Sequence, residues 1–230
     1  MQTEKHKVFI SFHHDNDQWA KDYLLTLNYY HDIFFDRSVA TDHISDDLTD
    51  ETIRTKIRDE YLRDSSVTVL LVGTGTSFRK HIDWEIYSSM YDGYVNKKSG
   101  LVVIELPSTG LGLIEVCHDG EKSLYPGINW TNINSQSEYS QRHPYIPDRI
   151  VENLATGNSF ISVTTWDAIK DNPQLLRNLI NMAYVDRLRA QYYLGTPMRR
   201  NNSNGLASLL GGSSASSLLF GNTAFRLTSS

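Results

Sequence analysis

Ser66-Val67-Thr68-Val69-Leu70-Leu71-Val72-Gly73-Thr74-Gly75-Thr76 is the stretch that decides the fold. An unbroken apolar and β-branched run over 67–72 suits a strand buried on both faces, and Gly73 stops it. The loop 73–76 must be tight, because Ile82, Ile86, Ser89 and Met90 soon follow at helical spacing and predict a helix over 80–94. Upstream, Val8-Phe9-Ile10-Ser11-Phe12 and Ile33-Phe34-Phe35, ending at Asp36, predict two further strands. Between them Trp19, Ala20, Tyr23, Leu24 and Leu27 mark a helix, with Asp17 as its expected N-cap. Ile53, Ile57 and Tyr61 mark another helix, capped by Thr49 or Asp50. Downstream come a strand at 101–104, one at 159–163, and a helix opened by Asn172-Pro173 with Leu175, Leu176, Leu179, Met182 and Ala183 inward.

Strand and helix alternate, which predicts an α/β fold: an open parallel sheet with helices on both faces. Such folds bind ligands at the carboxyl ends of their strands, so function is expected just after Phe12, Asp36, Val72 and Ile104. From 105 to 158 the pattern decays into Gly, Pro, Asn and Ser, and reads as an elaborated irregular insert. Residues 1–194 are expected to form the domain. Residues 195–230, rich in Gly, Ser and Leu, are expected to form a carboxy-terminal extension outside the core.

The 230 residues carry a formal charge of −5, which gives no reason to expect nucleic acid as a partner. Five arginines and no acidic residue follow position 186, so the negative balance lies earlier in the chain. No apolar run approaches the roughly 18–20 residues that span a bilayer, and Met1 to Lys7 resembles no signal peptide. One cysteine, Cys117, allows no internal disulfide and fits a reducing, cytoplasmic setting.

Familiar motifs fail one by one. Gly73-x-Gly75 resembles the start of a dinucleotide fingerprint, but Phe78 stands where the third glycine must let helix and strand pack closely. No Gly-x-x-x-x-Gly-Lys or Gly-x-Ser-x-Gly is present, and Gly73 stands where a phosphorelay receiver needs aspartate. Adjacent His13 and His14 are poorly placed to share a metal, so no metal site is expected. Cys117-His118 is read as a structural or incidental pair, since neighbours in sequence rarely align as a nucleophilic dyad.

Glu85 stands out instead. It lies three residues after Ile82, beside Trp84 and Ile86, at the edge of the inward stripe and above the end of the central strand. A carboxylate placed half in an apolar interface and half in a cleft is a functional-site candidate.

Lys7-Val8-Phe9-Ile10-Ser11-Phe12 followed by His13-His14-Asp15 resembles the opening of a TIR domain. The stretch from Ser66 to Thr76 leading into Trp84-Glu85-Ile86 resembles the ThsB-type TIR proteins of bacterial Thoeris anti-phage systems. The resemblance implies a flavodoxin-like sheet and a TIR NAD glycosidase or cyclase. It makes Glu85 the catalytic carboxylate and NAD the substrate, with no resident cofactor. It places Ser11, Phe12 and His13 in the nucleotide pocket, with Asp36, Gly73, His81 and Trp84 also expected there. His81 occupies a position where many members of the family carry tryptophan. The segment 36–47 corresponds to a region of TIR–TIR assembly, implying homo-oligomers, and a separate effector would sense the diffusible product. Three other functions are weighed beside this one. A plain NAD hydrolase would kill by depletion, and a non-enzymatic TIR scaffold would act by assembly alone. A nucleoside-processing enzyme such as a deoxyribosyltransferase would share the fold.

Overall fold

The computed structural model describes residues 4–38, 44–45, 47–94, 96–133 and 135–202. Five strands form one parallel sheet: β1 (Lys7–Ser11), β2 (Phe35–Asp36), β3 (Val67–Val72), β4 (Gly100–Glu105) and β5 (Ile161–Thr165). Their order is β2-β1-β3-β4-β5, the flavodoxin-like arrangement, and the strand order reverses between β1 and β3. The helices are α1 (His14–His31), α2 (Asp50–Lys56), α3 (Lys80–Met90), α4 (Gln136–Arg142), α5 (Asp148–Thr156), α6 (Trp166–Ile169) and α7 (Pro173–Asp186). A π turn, Ile57–Tyr61, continues α2.

Alternation along each strand sorts the core into two faces. Val8, Ile10, Val67, Val69, Leu71, Val102 and Ile104 pack with Leu24 of α1 and Leu176 and Leu179 of α7. Leu70, Val72, Leu101 and Val103 pack with Ile82, Ile86 and Met90 of α3 and with Ile150 and Val151 of α5. On β1 the same alternation turns Phe9 and Ser11 away from the first face. Phe9 joins Ile53, Ile57, Leu62, Trp84 and Met198 in a third cluster.

Several boundaries move for identifiable reasons. The first helix begins at His14, with His13 at the N-cap position but making no side-chain cap, so Asp17 is inside its first turn and buried instead of acting as N-cap. The second strand shrinks to Phe35–Asp36, because the Asn28 side chain accepts hydrogen bonds from the N–H groups of Ile33 and Phe34. Residue Phe160 adopts φ 51°, which delays the last strand until Ile161. On α7 the buried positions include Ile180, while Met182 is only half-buried. The insert is more regular than its composition implies: Ser135 caps α4, and α5 covers the sheet with Ile150, Val151 and Leu154.

The expected extension is not wholly free of the body. Met198 is buried, the Trp84 indole N–H donates to the Arg199 carbonyl at 2.7 Å, and Arg149 donates to the carbonyls of Thr196 and Pro197. Residues up to Asn202 therefore strap across α3, whereas the Gly/Ser/Leu-rich stretch from 203 onward lies outside the described residues.

Gly100 opens β4 where α7 crosses the sheet. A Cβ there would stand 2.1 Å from the Ala183 carbonyl oxygen, and backbone cannot swing aside. Gly100→Ala is therefore expected to destabilise the fold by about 1–3 kcal/mol or more. A thermal melt checks this, and an unchanged midpoint would contradict the close approach.

Candidate functional site

The switch point between β1 and β3 opens beside the amino-terminal turns of α1 and α3. Because Ser11 shares the α3 side of β1, its hydroxyl reaches across and donates to Glu85 Oε2 at 2.6 Å. Both residues are buried, Glu85 at 4% exposure. The expectation of a carboxylate lying half in a cleft is thus corrected: α3 packs close enough to β1 to enclose it.

One turn earlier on α3, His81 and Ile82 help line a cavity of about 220 Å³ together with Phe12, His13, His14, Asp15, Arg79 and Asn202. Phe12 stacks on His14 with ring centroids 4.3 Å apart. Both ring nitrogens of His13 and Nε of Arg79 are buried without a hydrogen-bond partner among the described residues. Burial lowers the His13 pKa, and the nearby positive charge of Arg79 lowers it further. His13 is thus biased toward the neutral imidazole, able both to donate and to accept.

Asp17 is a member of this region that sequence reasoning missed as such. Burial pushes its carboxyl up to about 6, although the hydrogen bond with Thr76 pulls the other way. It sits on Gly73, where a Cβ would come within 2.5 Å of Asp17 Oδ1, and a Cβ on Gly75 would stand 3.1 Å from His13 Nδ1, a less severe approach. The Thr76 hydroxyl accepts from the Gly73 N–H at 2.9 Å. The two glycines are therefore needed for close approach of the 73–76 loop to α1, a need that the spacing hinted at without naming the partner.

The remaining expected site residues separate. Gly73 supports Asp17 and does not line the cavity. Trp84 is fully buried in the third core cluster and touches the cavity only through His81, whose ring centroid lies 4.8 Å away. It offers no open face for stacking. Asp36 is exposed at the β2 edge, where its Oδ1 accepts from the Ser38 N–H at 2.9 Å. The segment 36–47 lies partly outside the described residues.

Arg79, Arg199 and Asn202 were also missed. Arg79 borders a second cavity of about 210 Å³ shared with Asp83, Asp148, Arg149 and Arg199. Asn202 accepts from the Lys80 N–H at 2.9 Å, so the strap reaches the rim of the first cavity. A residue separated from α3 by more than a hundred positions carries no local signal of that contact.

A different polar cluster occupies the end of β4. His143 bridges two carboxylates, with Nδ1 3.1 Å from Glu105 Oε1 and Nε2 3.1 Å from Glu115 Oε1. Burial disfavours its charged form, but the hydrogen bonds to Glu105 and Glu115 outweigh it and raise the His143 pKa above 6.5. The stability this gives is fully present below the unfolded value and is lost as pH rises through the raised folded value. The melting temperature of the wild type is therefore expected to fall, relative to His143→Gln, as pH climbs through and above neutrality. Parallel curves for the two proteins would contradict the bridge. Burial, then Glu121, push the Cys117 thiol well above its usual range, so it is no ready nucleophile.

Among the described residues no helix is long and apolar enough to cross a membrane. No curated protein matches the chain. Residues 9–110 match the family model described as Thoeris protein ThsB, TIR-like domain, a stretch that contains β3 and β4, Ser11, the loop 73–76 and Glu85. Over these residues the chain is similar to the TIR-like domain of the Thoeris ThsB family.

Proposed function

We propose that this anti-phage TIR protein breaks the nicotinamide–ribose bond of NAD with Glu85 as the catalytic carboxylate. The observation that carries the reading is the buried Ser11–Glu85 pair, set one helical turn below a cavity whose wall holds His13 and Arg79 nitrogens that make no hydrogen bond among the described residues. In this reading Arg79 and His14 meet phosphate oxygens, Phe12 gives apolar surface to a ring, and His13 bonds ribose or phosphate oxygens.

When the glycosidic bond breaks, its electron pair leaves with nicotinamide, which departs neutral without needing a proton. The ribose is left as an oxocarbenium-like cation, and an ionised Glu85 held by Ser11 stabilises it. Sites for small molecules usually offer roughly 300–1,000 Å³. The cavity therefore takes one end of the dinucleotide, and the contact of Asn202 at its rim must yield for the rest. Movement of α3 or the 13–16 turn must likewise bring Glu85 to the ribose.

A covered site keeps water from the cation, so an atom of the same nucleotide can close on it and give a cyclic ADP-ribose isomer. Such a product would act as a diffusible signal for a separate effector protein in the cytoplasm. The test is to incubate the purified full chain with NAD and separate the products by chromatography with mass detection. Nicotinamide and a cyclic isomer in equal amounts support the reading. ADP-ribose alone, heavier by one water, would make it a depleting hydrolase. Assembly by sedimentation with NAD untouched would make it a scaffold. Nucleosides assayed in parallel would expose a transferase.

A further inference from the structure

Past the residues that match the family model, Cys117, His118 and Glu121 each bring one ligand atom within 4.8 Å of the others. They come from one turn packed on β5, where Cys117 Sγ lies 3.8 Å from Ser162 Oγ. Glu121 has no exposed surface and folds back on its own turn. Its Oε2 accepts the N–H groups of Cys117 at 2.8 Å and His118 at 3.0 Å, which fixes the carboxylate and leaves Oε1 buried with no partner among the described residues.

His118 is fixed in the same manner. Its Nδ1 lies 2.6 Å from Asp186 Oδ2, at the end of α7, and Asp186 is itself paired with Arg189 at 2.9 Å. An ionised carboxylate only accepts, so Nδ1 carries the proton and Nε2 presents a lone pair. That Nε2 is also buried and without a partner among the described residues.

Two residues with orphaned acceptor atoms and a half-buried thiol thus fall in one cluster. Leaving buried acceptors unpaired is costly, and the donor that stands beside Glu121 is the weak S–H of Cys117. We propose that Cys117, His118 and Glu121 form a structural site for a borderline-soft divalent cation, zinc foremost, with Asp186 as the positioning residue for the His118 ring. Sulfur, imidazole and carboxylate together suit zinc, whereas magnesium and calcium prefer oxygen alone. A carboxylate on the far nitrogen of a ligating histidine is the arrangement that sets tautomer and ring orientation in zinc sites. Binding would release the Cys117 proton to solvent, and thiolate plus carboxylate would balance the dication. The cation would tie the 117–121 turn to β5 and α7, and this role does not depend on NAD chemistry at Glu85.

The test uses the full, tag-free chain stripped with a chelator. Cobalt(II) is titrated in, its thiolate-to-metal charge-transfer absorption is read, and zinc is then added as competitor. The expected result is one equivalent of cobalt with that absorption, displaced by zinc, and a higher melting temperature for the zinc-loaded chain. Cys117→Ser, which keeps the turn, should abolish the absorption, and Asp186→Asn should weaken zinc by about 10–100-fold. Glu121→Gln is avoided because Glu121 also holds the turn. Absence of the absorption in the wild type, or zinc binding by Cys117→Ser equal to wild type, would overturn the site.

Discussion

Glu85→Gln is expected to lower NAD turnover by about 100- to 1,000-fold, the scale seen when one preorganised electrostatic contact to a transition state is removed. Glutamine keeps the shape, and its side-chain oxygen still accepts the Ser11 hydroxyl that now reaches Glu85 at 2.6 Å. The charge is lost, and one acceptor oxygen becomes an NH2 donor. Since the site is buried, a neutral isostere removes no packing, and the melting temperature should stay close to wild type. Ser11→Ala gives the complementary case: the carboxylate remains but loses its positioning hydrogen bond, so turnover should fall by a smaller factor. Nicotinamide release followed by chromatography measures both. If Glu85→Gln released nicotinamide within a few-fold of wild type, the carboxylate would have no part in bond cleavage.

Arg149→Met is expected to be the most damaging single change to stability outside the apolar core. Arg149 is 3% exposed and grips Asp83 with two hydrogen bonds, Nε to Oδ1 at 2.8 Å and Nη2 to Oδ2 at 3.1 Å. Its remaining donors meet the carbonyls of Thr196 at 2.9 Å and Pro197 at 3.1 Å. Methionine fills much of the volume but strands a buried carboxylate, which would keep only the Arg199 N–H at 2.7 Å. Breaking a buried pair in this way costs about 3–5 kcal/mol. For a domain of this size that corresponds to roughly 6–20 °C in melting temperature. The strap through residue 202 should also become cleavable by protease under conditions where the wild type resists. A variant that removes both charges, Arg149→Met with Asp83→Leu, should recover part of the loss, because no lone charge is then buried. A single mutant that melts with the wild type would show that the pair carries no such weight.

These two predictions differ in how they are reached from the chain. The role proposed for Glu85 begins with local patterning: an apolar strand, a tight glycine loop, and a helix with Ile82, Ile86 and Met90 inward put that acid at the edge of a buried stripe. Alternation on β1 then turns Ser11 toward it. The stripe on α3 and the alternation on β1 each span a few residues, so periodicity reveals them, whereas their meeting joins residues 74 positions apart. The Arg149 pair joins α3, a helix hidden in what reads as irregular insert, and a strap reading as tail. Composition there is poor in apolar residues, and α5 is stabilised by one buried face and by partners far along the chain.

Individual errors share that origin. Trp84 is expected in the pocket with its neighbour Glu85, but side chains one apart on a helix face different neighbours, and Trp84 packs in the cluster of Phe9 and Met198. Asp17 appeared to cap a helix, but α1 starts earlier and presses it against Gly73.

The succession of elements along the chain, their alternation, and the identity of the buried stripes follow from residue spacing, since periods of two and near four are properties of the backbone itself. Enclosure of Glu85, the strap over α3, the His143 bridge and the Cys117–His118–Glu121 cluster follow from which distant surfaces meet. Those meetings are set by packing and by pairing of buried polar groups across long stretches of chain, and no local period encodes them.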